Sequence, residues 1–303
     1  MGYIGRDAGI KFRITGFNDV DLPMLIRINS THGEILALMS DRNFDDLADR
    51  FANNIYDQPK GEIRLRLVQE ALLAACPQLQ QGKALRILDA GCGMGQMTAM
   101  MAALGHQLVC CDLSAEMLAE TKVVVSKINP QCLDNIRFIQ SAVQDLDKHL
   151  SNETFDLIIF HAVLEWMEEP REGLQSLLKW LKPDGTLSLM FYNIHSLIFK
   201  NLLRGNFRKI DEKDFRGDPG SLTPLNPLDP AEVEQWLSGF GLKVTSKCGI
   251  RTFYDYMDHS MKHKKLTIAL EDVVRMEKRF SVQEPYRHLA RYLLFHCSSN
   301  TSV

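Results

Sequence analysis

The sequence predicts an α/β protein: a mostly parallel sheet of seven strands with helices on both faces. Three observations carry this. From Ala84 onward, short apolar runs alternate with segments of helical period. Gly91, Gly93 and Gly95 follow the first of those runs and open a helix. The runs are apolar throughout rather than alternating, as expected of strands in a parallel sheet covered on both sides.

Taken in order, LRILDAG (85–91) is a strand running into the glycine loop, and QMTAMMAAL (96–104) is a helix closed by Gly105. QLVCCDL (107–113) is the second strand, and Ser114 caps the helix AEMLAETKVVVSKI behind it. IRFIQSAV (136–143) and FDLIIFHAV (155–163) are strands three and four. In REGLQSLLKWL (171–181), Leu174, Leu177, Leu178 and Leu181 share one helix face. A turn at Pro183-Asp184-Gly185 precedes strand five, TLSLMFYN (186–193). A basic and aromatic insert follows, NIHSLIFKNLLRGNFRK (193–209). GLKVTSKCG and RYLLFHCSS supply two last strands, with a helix in KLTIALEDVVRMEKRF between them. Right-handed crossovers put the loops after the parallel strands on one edge, the carboxyl edge, where such sheets bind ligands.

The bulk numbers bound the function. The 303 residues carry a formal net charge of −3, so a nucleic-acid site must be a local patch rather than an overall basic field. The seven cysteines fall at no metal-ligand spacing and read as reduced, buried thiols of a cytoplasmic protein. No metal site and no membrane span is expected. The opening residues lack the apolar core of a secretory signal, and Arg6 stands where myristoylation wants Ser or Thr.

Glycines let the loop turn tightly and approach a ligand closely. Asp112 ends the second strand about 20 residues on, where a carboxylate can accept hydrogen bonds from ribose hydroxyls. Here the spacing is G-x-G-x-G, and Asp89 precedes it. A carboxylate there repels a pyrophosphate but suits an ammonium group such as that of methionine. The spacing therefore disfavours a nicotinamide oxidoreductase.

Asp89-Ala-Gly91-Cys92-Gly93-Met-Gly95 followed by Cys-Asp112-Leu-Ser resembles the first two motifs of the class I S-adenosylmethionine methyltransferases, whose fold is Rossmann-like. Four further segments, DRNFDDLADRFANNIYDQPKGEIRLR (41–66), FHAVLEWMEEPR (160–171), LSLMFYN (187–193) and QEPYRHLARY (283–292), resemble those of the tRNA 5-carboxymethoxyuridine methyltransferases. The resemblance runs from about Met39 to about Cys297. It implies a domain over 39–297, an N-terminal extension over 1–38 that is dispensable and loosely attached or disordered, and a tail over 298–303. Asp184 departs from the Pro-Gly-Gly usual in relatives.

The resemblance implies S-adenosyl-L-methionine as cofactor and methylation of the carboxylate of a modified wobble uridine, with the tRNA anticodon stem-loop as partner. Carried over residue by residue, Arg64 reaches the cofactor's carboxylate, Gly91 and Cys92 line its methionine, and Asp112 holds its ribose. Val143 and Gln144 frame the adenine, and His161 stands near the reacting end. Asp89 and Gly93 complete the set from the loop itself. Trp166 and Tyr192 are aromatic candidates to face the sulfonium. A carboxylate acceptor is ionised at neutral pH, so the reaction needs orientation rather than a base. An arginine or tyrosine gripping one carboxylate oxygen would orient the other, and Tyr192 and Arg251 are the candidates. Tyr192, His195, Lys200, Arg204, Arg208, Lys209, Arg251 and Tyr254 form the candidate substrate surface, where aromatics and cations suit single-stranded RNA. KHKKL (262–266) is a further basic run. Two alternatives stay open: a methyltransferase of a small carboxylate or phenol metabolite, and a cofactor-binding regulator without turnover.

Overall fold

The apolar runs pair side by side into one seven-stranded sheet: β1 (Arg86–Ala90), β2 (Gln107–Asp112), β3 (Ile136–Gln140), β4 (Phe155–His161), β5 (Leu181–Tyr192), β6 (Leu242–Ile250) and β7 (Tyr292–Ser299). The computed structural model describes residues 41–43, 45, 58–215, 224, 226–257 and 268–299. These belong to one compact unit, Ser40–Val303. The predicted extension 1–38 and the KHKKL run lie outside the described residues.

The strand order is β3-β2-β1-β4-β5-β7-β6. β1 to β5 are parallel, while β7 runs antiparallel to both β5 and β6. β6 therefore ends, and β7 begins, at the same edge as the carboxyl ends of the first five strands.

The helices are α1 (Pro59–Ala75), α2 (Gln96–Ala103), α3 (Ala115–Ile128), α4 (Pro170–Leu178), α5 (Ile194–Leu203), α6 (Phe207–Asp211), α7 (Pro230–Gly239) and α8 (Leu270–Ser281). Neighbouring strand residues go to opposite faces, as the strand period requires. Ile87, Leu157 and Ile159 pack with Leu72, Met101 and Val125 on one side. Leu88, Ile158 and Phe160 pack with Leu174, Leu177 and Leu237 on the other. A third cluster joins Ile63, Leu67 and Val68 of α1 to Met190, Ile250 and Val273. Ser114 caps α3 as predicted, accepting a hydrogen bond from the Met117 N–H at 3.1 Å.

Four of the boundaries that differ from the sequence expectation bear on the sheet. Pro183-Asp184-Gly185 does not end a turn before β5 but lies within the strand. Phe155 pairs with Leu181 and Leu157 with Thr186, so the surplus residues of β5 are carried as a bulge. α4 stops at Leu178, which leaves Leu181 to β5. β3 stops at Gln140, and Val143 starts a 3-10 turn that runs to Lys148. β7 continues to Ser299, pairing Ser298 with Thr186 and Lys243, so the predicted tail loses its first two residues to the sheet.

Candidate functional site

The glycine loop is tied to the end of β2. The N–H groups of Gly91 and Cys92 donate to the Cys111 carbonyl at 2.8 and 3.0 Å. Gly91 has φ +72°, and a Cβ there would stand 2.3 Å from Val163 Cγ2, so both backbone and space require glycine. Gly95, the N-cap of α2, has φ +79°, and a Cβ would meet the Thr121 Cα at 2.8 Å.

Asp112 stands opposite this loop. Its Oδ2 accepts the Gly93 N–H and its Oδ1 the Ser114 N–H, both at 2.9 Å. Each oxygen thus spends one lone pair on the backbone and keeps another for a ligand hydroxyl. Burial raises its carboxyl above the usual range. Asp89 is only 3% exposed and accepts the Thr98 hydroxyl at 2.6 Å. Burial pushes its carboxyl up to about 7.

Gln144 donates through Nε2 to Asp41 Oδ2 at 2.8 Å, and its Oε1 is buried without a partner. Asp41 Oδ1 in turn accepts the Glu168 N–H at 2.9 Å, which fixes Asp41 and with it the amide. His161 shares a 2.8 Å hydrogen bond with Ser188 through Nε2, while its Nδ1 is buried without a partner. Burial, helped by His296 and Arg64, holds its pKa well below the ordinary value and keeps the ring neutral. Arg64 rises from α1 with its guanidinium 4.8 Å from the Tyr292 ring centre. Among the described residues it has no hydrogen-bond or ion-pair partner.

One pocket on the carboxyl edge is lined by Arg64, Asp89, Gly91, Cys92, Gly93, Asp112, Val143, Gln144 and His161 together. Every position named for the nucleoside side is thus brought to one place. Asp41, Gln96, Met117, Trp166 and Met190 line it too. Trp166 therefore belongs to the pocket wall, whereas Tyr192 does not; its side chain is 1% exposed and packs edge-on against Tyr292 at 5.3 Å.

The proposed substrate surface divides. Tyr192, Lys200 and Arg251 converge on a second cluster next to the pocket, joined by Arg291 and Asp255. Arg204, Arg208 and Lys209 are exposed instead, with Arg208 paired at 2.8 Å to Glu212, the C-cap of its own helix. His195 sits half-buried in the first turn of α5. Tyr254 is half-buried in the turn after β6, where buried Glu277 of α8 accepts the N–H groups of Thr252, Phe253 and Tyr254 at 2.6, 3.1 and 2.8 Å.

Sequence reasoning missed Asp41, Glu277, Asp255 and Arg291. Arg291 had a usable signal: it immediately precedes an antiparallel strand, whose amino end reaches the ligand edge. A search of carboxyl ends alone passes over it.

A sheet with its last strand slotted antiparallel beside β5, and a glycine loop closing on an acidic strand end, belongs to the Rossmann-like, S-adenosylmethionine-dependent methyltransferases. The chain matches the family described as methyltransferase domain over residues 88–189. Solved structures agree in fold: the magnesium protoporphyrin IX methyltransferase from Synechocystis PCC 6803 with bound SAH has a TM-score of 0.53 at 14% identity, covering 84% of this chain and 94% of that one. A plantazolicin methyltransferase in complex with SAH has a TM-score of 0.52 at 15% identity, covering 84% and 90%.

Within that class the chain belongs to the tRNA 5-carboxymethoxyuridine methyltransferase family. It is 42% identical over 255 residues to the member from Escherichia coli (strain K12), covering 84% of this chain and 95% of the relative. The trans-aconitate 2-methyltransferase of Deinococcus radiodurans is more distant, 29% identical over 165 residues, covering 52% and 57%.

Proposed function

We propose that this protein methylates the carboxylate of 5-carboxymethoxyuridine at the wobble position of tRNA, giving the methyl ester, and that it recognises the anticodon stem-loop in the cytoplasm. The observation that carries this is the 42% identity, sustained over 95% of a relative that bears the name of this activity. The placement in the cytoplasm accords with seven unpaired cysteines. Among the described residues no helix is long and apolar enough to cross a membrane.

The pocket residues fit S-adenosylmethionine. The Arg64 guanidinium, which has no hydrogen-bond partner among the described residues, suits its carboxylate and Asp89 its ammonium group. The free lone pairs of Asp112 suit two ribose hydroxyls. Val143, Met117 and the orphaned Gln144 Oε1 suit an adenine with its amino group. When bound, this cofactor supplies an electrophilic methyl group on a sulfonium.

The chain's own contribution is orientation and exclusion of water. A carboxylate titrates at about 4 and is already ionised at neutral pH, so no proton has to be removed. Correct alignment alone can lower the barrier by roughly 7–11 kcal/mol. A neutral His161, bonded to Ser188, shapes the wall without acting as a base.

The test is to incubate the purified protein with S-adenosylmethionine and tRNA carrying 5-carboxymethoxyuridine, then digest and weigh the nucleosides. The expected result is conversion of that nucleoside to its methyl ester, with a matching anticodon stem-loop serving as substrate. Turnover of small carboxylates or phenols, with none on the tRNA, would establish the metabolite alternative instead.

A further inference from the structure

Beside the pocket, three strand ends meet. β5 ends at Tyr192, β6 ends at Ile250 just before Arg251, and β7 begins at Tyr292 just after Arg291. Tyr292 is in register with both Tyr192 and Ile250. The Arg291 N–H donates to the Arg251 carbonyl at 3.1 Å. Arg251 is held at φ +62°, a left-handed conformation that a residue with a Cβ rarely adopts.

The charges there do not balance. Arg251 is 5% exposed. The Arg291 side chain is 16% exposed and Asp255 is 14%. Arg251 Nη2 lies 2.9 Å from Asp255 Oδ2 without the alignment of a hydrogen bond, and Arg291 Nε lies 4.0 Å from the same oxygen, beyond hydrogen-bond reach. The Nε atoms of both arginines are buried with no acceptor. Lys200 adds a third cation, its ammonium held down to about 8 by burial and by nearby Arg291. Three cations thus gather about Asp255, and buried guanidinium N–H groups without an acceptor are costly unless something supplies one.

The cluster adjoins the reaction. The guanidiniums of Arg64, in the pocket, and of Arg251 both stand over the Tyr292 ring, at 4.8 and 5.6 Å. Arg291 lies 4.9 Å from the centre of the Tyr192 ring.

We infer that Arg251 and Arg291, braced by Asp255 and backed by Lys200, form an anion clamp that receives the carboxylate of the acceptor nucleotide one aromatic ring away from the cofactor pocket. This rests on the proposed tRNA carboxyl methylation and adds the specificity element for it. A guanidinium that donates end-on to one carboxylate oxygen leaves the other to attack. Tyr192, whose phenol burial raises to about 12 and so keeps protonated, is a neutral donor beside it.

The experiment compares anticodon stem-loops carrying the free acid, the carboxamide or the methyl ester, with S-adenosylhomocysteine present. The wild-type protein is expected to bind the acid at least tenfold more tightly than either neutral form. Arg291→Gln and Arg251→Gln are expected to abolish that preference while affinity for S-adenosylhomocysteine changes less than twofold. Arg291→Lys retains charge and should keep part of it. Equal binding of acid and amide by the wild-type protein overturns the clamp without needing any variant to fold. If the variants weaken all three stem-loops equally, the anion held is a backbone phosphate and the carboxylate assignment falls. If the wild-type protein methylates the acid but shows no acid preference, the clamp alone fails. No methyl transfer to the acid overturns the functional reading and the clamp with it.

Discussion

Asp112 shows how little freedom a binding carboxylate retains at the residue scale. Two backbone N–H groups at 2.9 Å fix its oxygens before any ligand arrives, so its remaining lone pairs are already aimed. Asp112→Ala removes the proposed ribose acceptors and the hydrogen bond to the Gly93 N–H. Cofactor affinity should fall by about 1–3 kcal/mol, read by calorimetry. Unchanged affinity would take Asp112 out of the site. Asp89 makes a prediction of opposite origin. Burial pushes its carboxyl up to about 7, whereas an ammonium ligand selects the ionised form. Affinity should therefore fall toward tenfold per unit as the pH drops below about 7, with proton release on binding there. Asp89→Asn should bind weakly with no such slope. His161 has its pKa held well below the ordinary value, so it stays neutral through the working range. The profile of kcat against pH should be flat from about pH 6 upward. His161→Asn should retain most of kcat with a modest rise in cofactor KM. A loss of several orders of magnitude in kcat at constant KM would instead place His161 in the transition state.

At the scale of elements, the turn after β6 is positioned by a helix distant in sequence. Glu277 of α8 is fully buried and gathers three consecutive backbone N–H groups, so α8 and the Arg251 turn behave as one unit. Glu277→Ala leaves those donors without an acceptor and should cost roughly 3 kcal/mol or more in denaturant unfolding. Glu277→Gln keeps one acceptor oxygen and should cost less. In the folded fraction, KM for the stem-loop should rise while cofactor affinity stays put, since α8 does not line the pocket. The bulge in β5 works on the same scale. It absorbs Pro183 and Asp184 without shifting the pairing that brings His161 beside Met190.

For the whole molecule, net charge and binding surface pull apart. The chain is acidic overall at −3, yet Arg204, at the C-cap of α5, and Arg208 and Lys209 of α6 are exposed. Such a local patch makes RNA binding salt-dependent without making the protein basic. Each phosphate contact on a single strand contributes about 0.7 to the slope of log affinity against log salt. Replacing Arg204, Arg208 and Lys209 by Gln should reduce that slope by about 2 without changing cofactor affinity, measured by fluorescence titration across salt. An unchanged slope would move the RNA path off these helices.

The sequence by itself determined the sheet, most element boundaries and the nucleoside half of the site. Each of those depends on local chemistry: an apolar run makes a buried strand, glycines make a loop with positive φ, and an acidic residue ends the strand that follows. Nine positions read in this way and from the family resemblance, Arg64 to His161, line one pocket because parallel strands present their carboxyl ends together. Only the tertiary structure brought Arg291 and Asp255 to Tyr192, Lys200 and Arg251 on the proposed acceptor side. The basic insert reads as one surface, but Lys200 turns inward while Arg204 and Arg208 stay exposed, a matter of helix phase against the sheet. Arg291 reaches the edge because β7 runs backwards, and Asp255 and Glu277 matter only through partners that packing brings to them. A residue whose role depends on strand direction and distant neighbours leaves no local pattern to read.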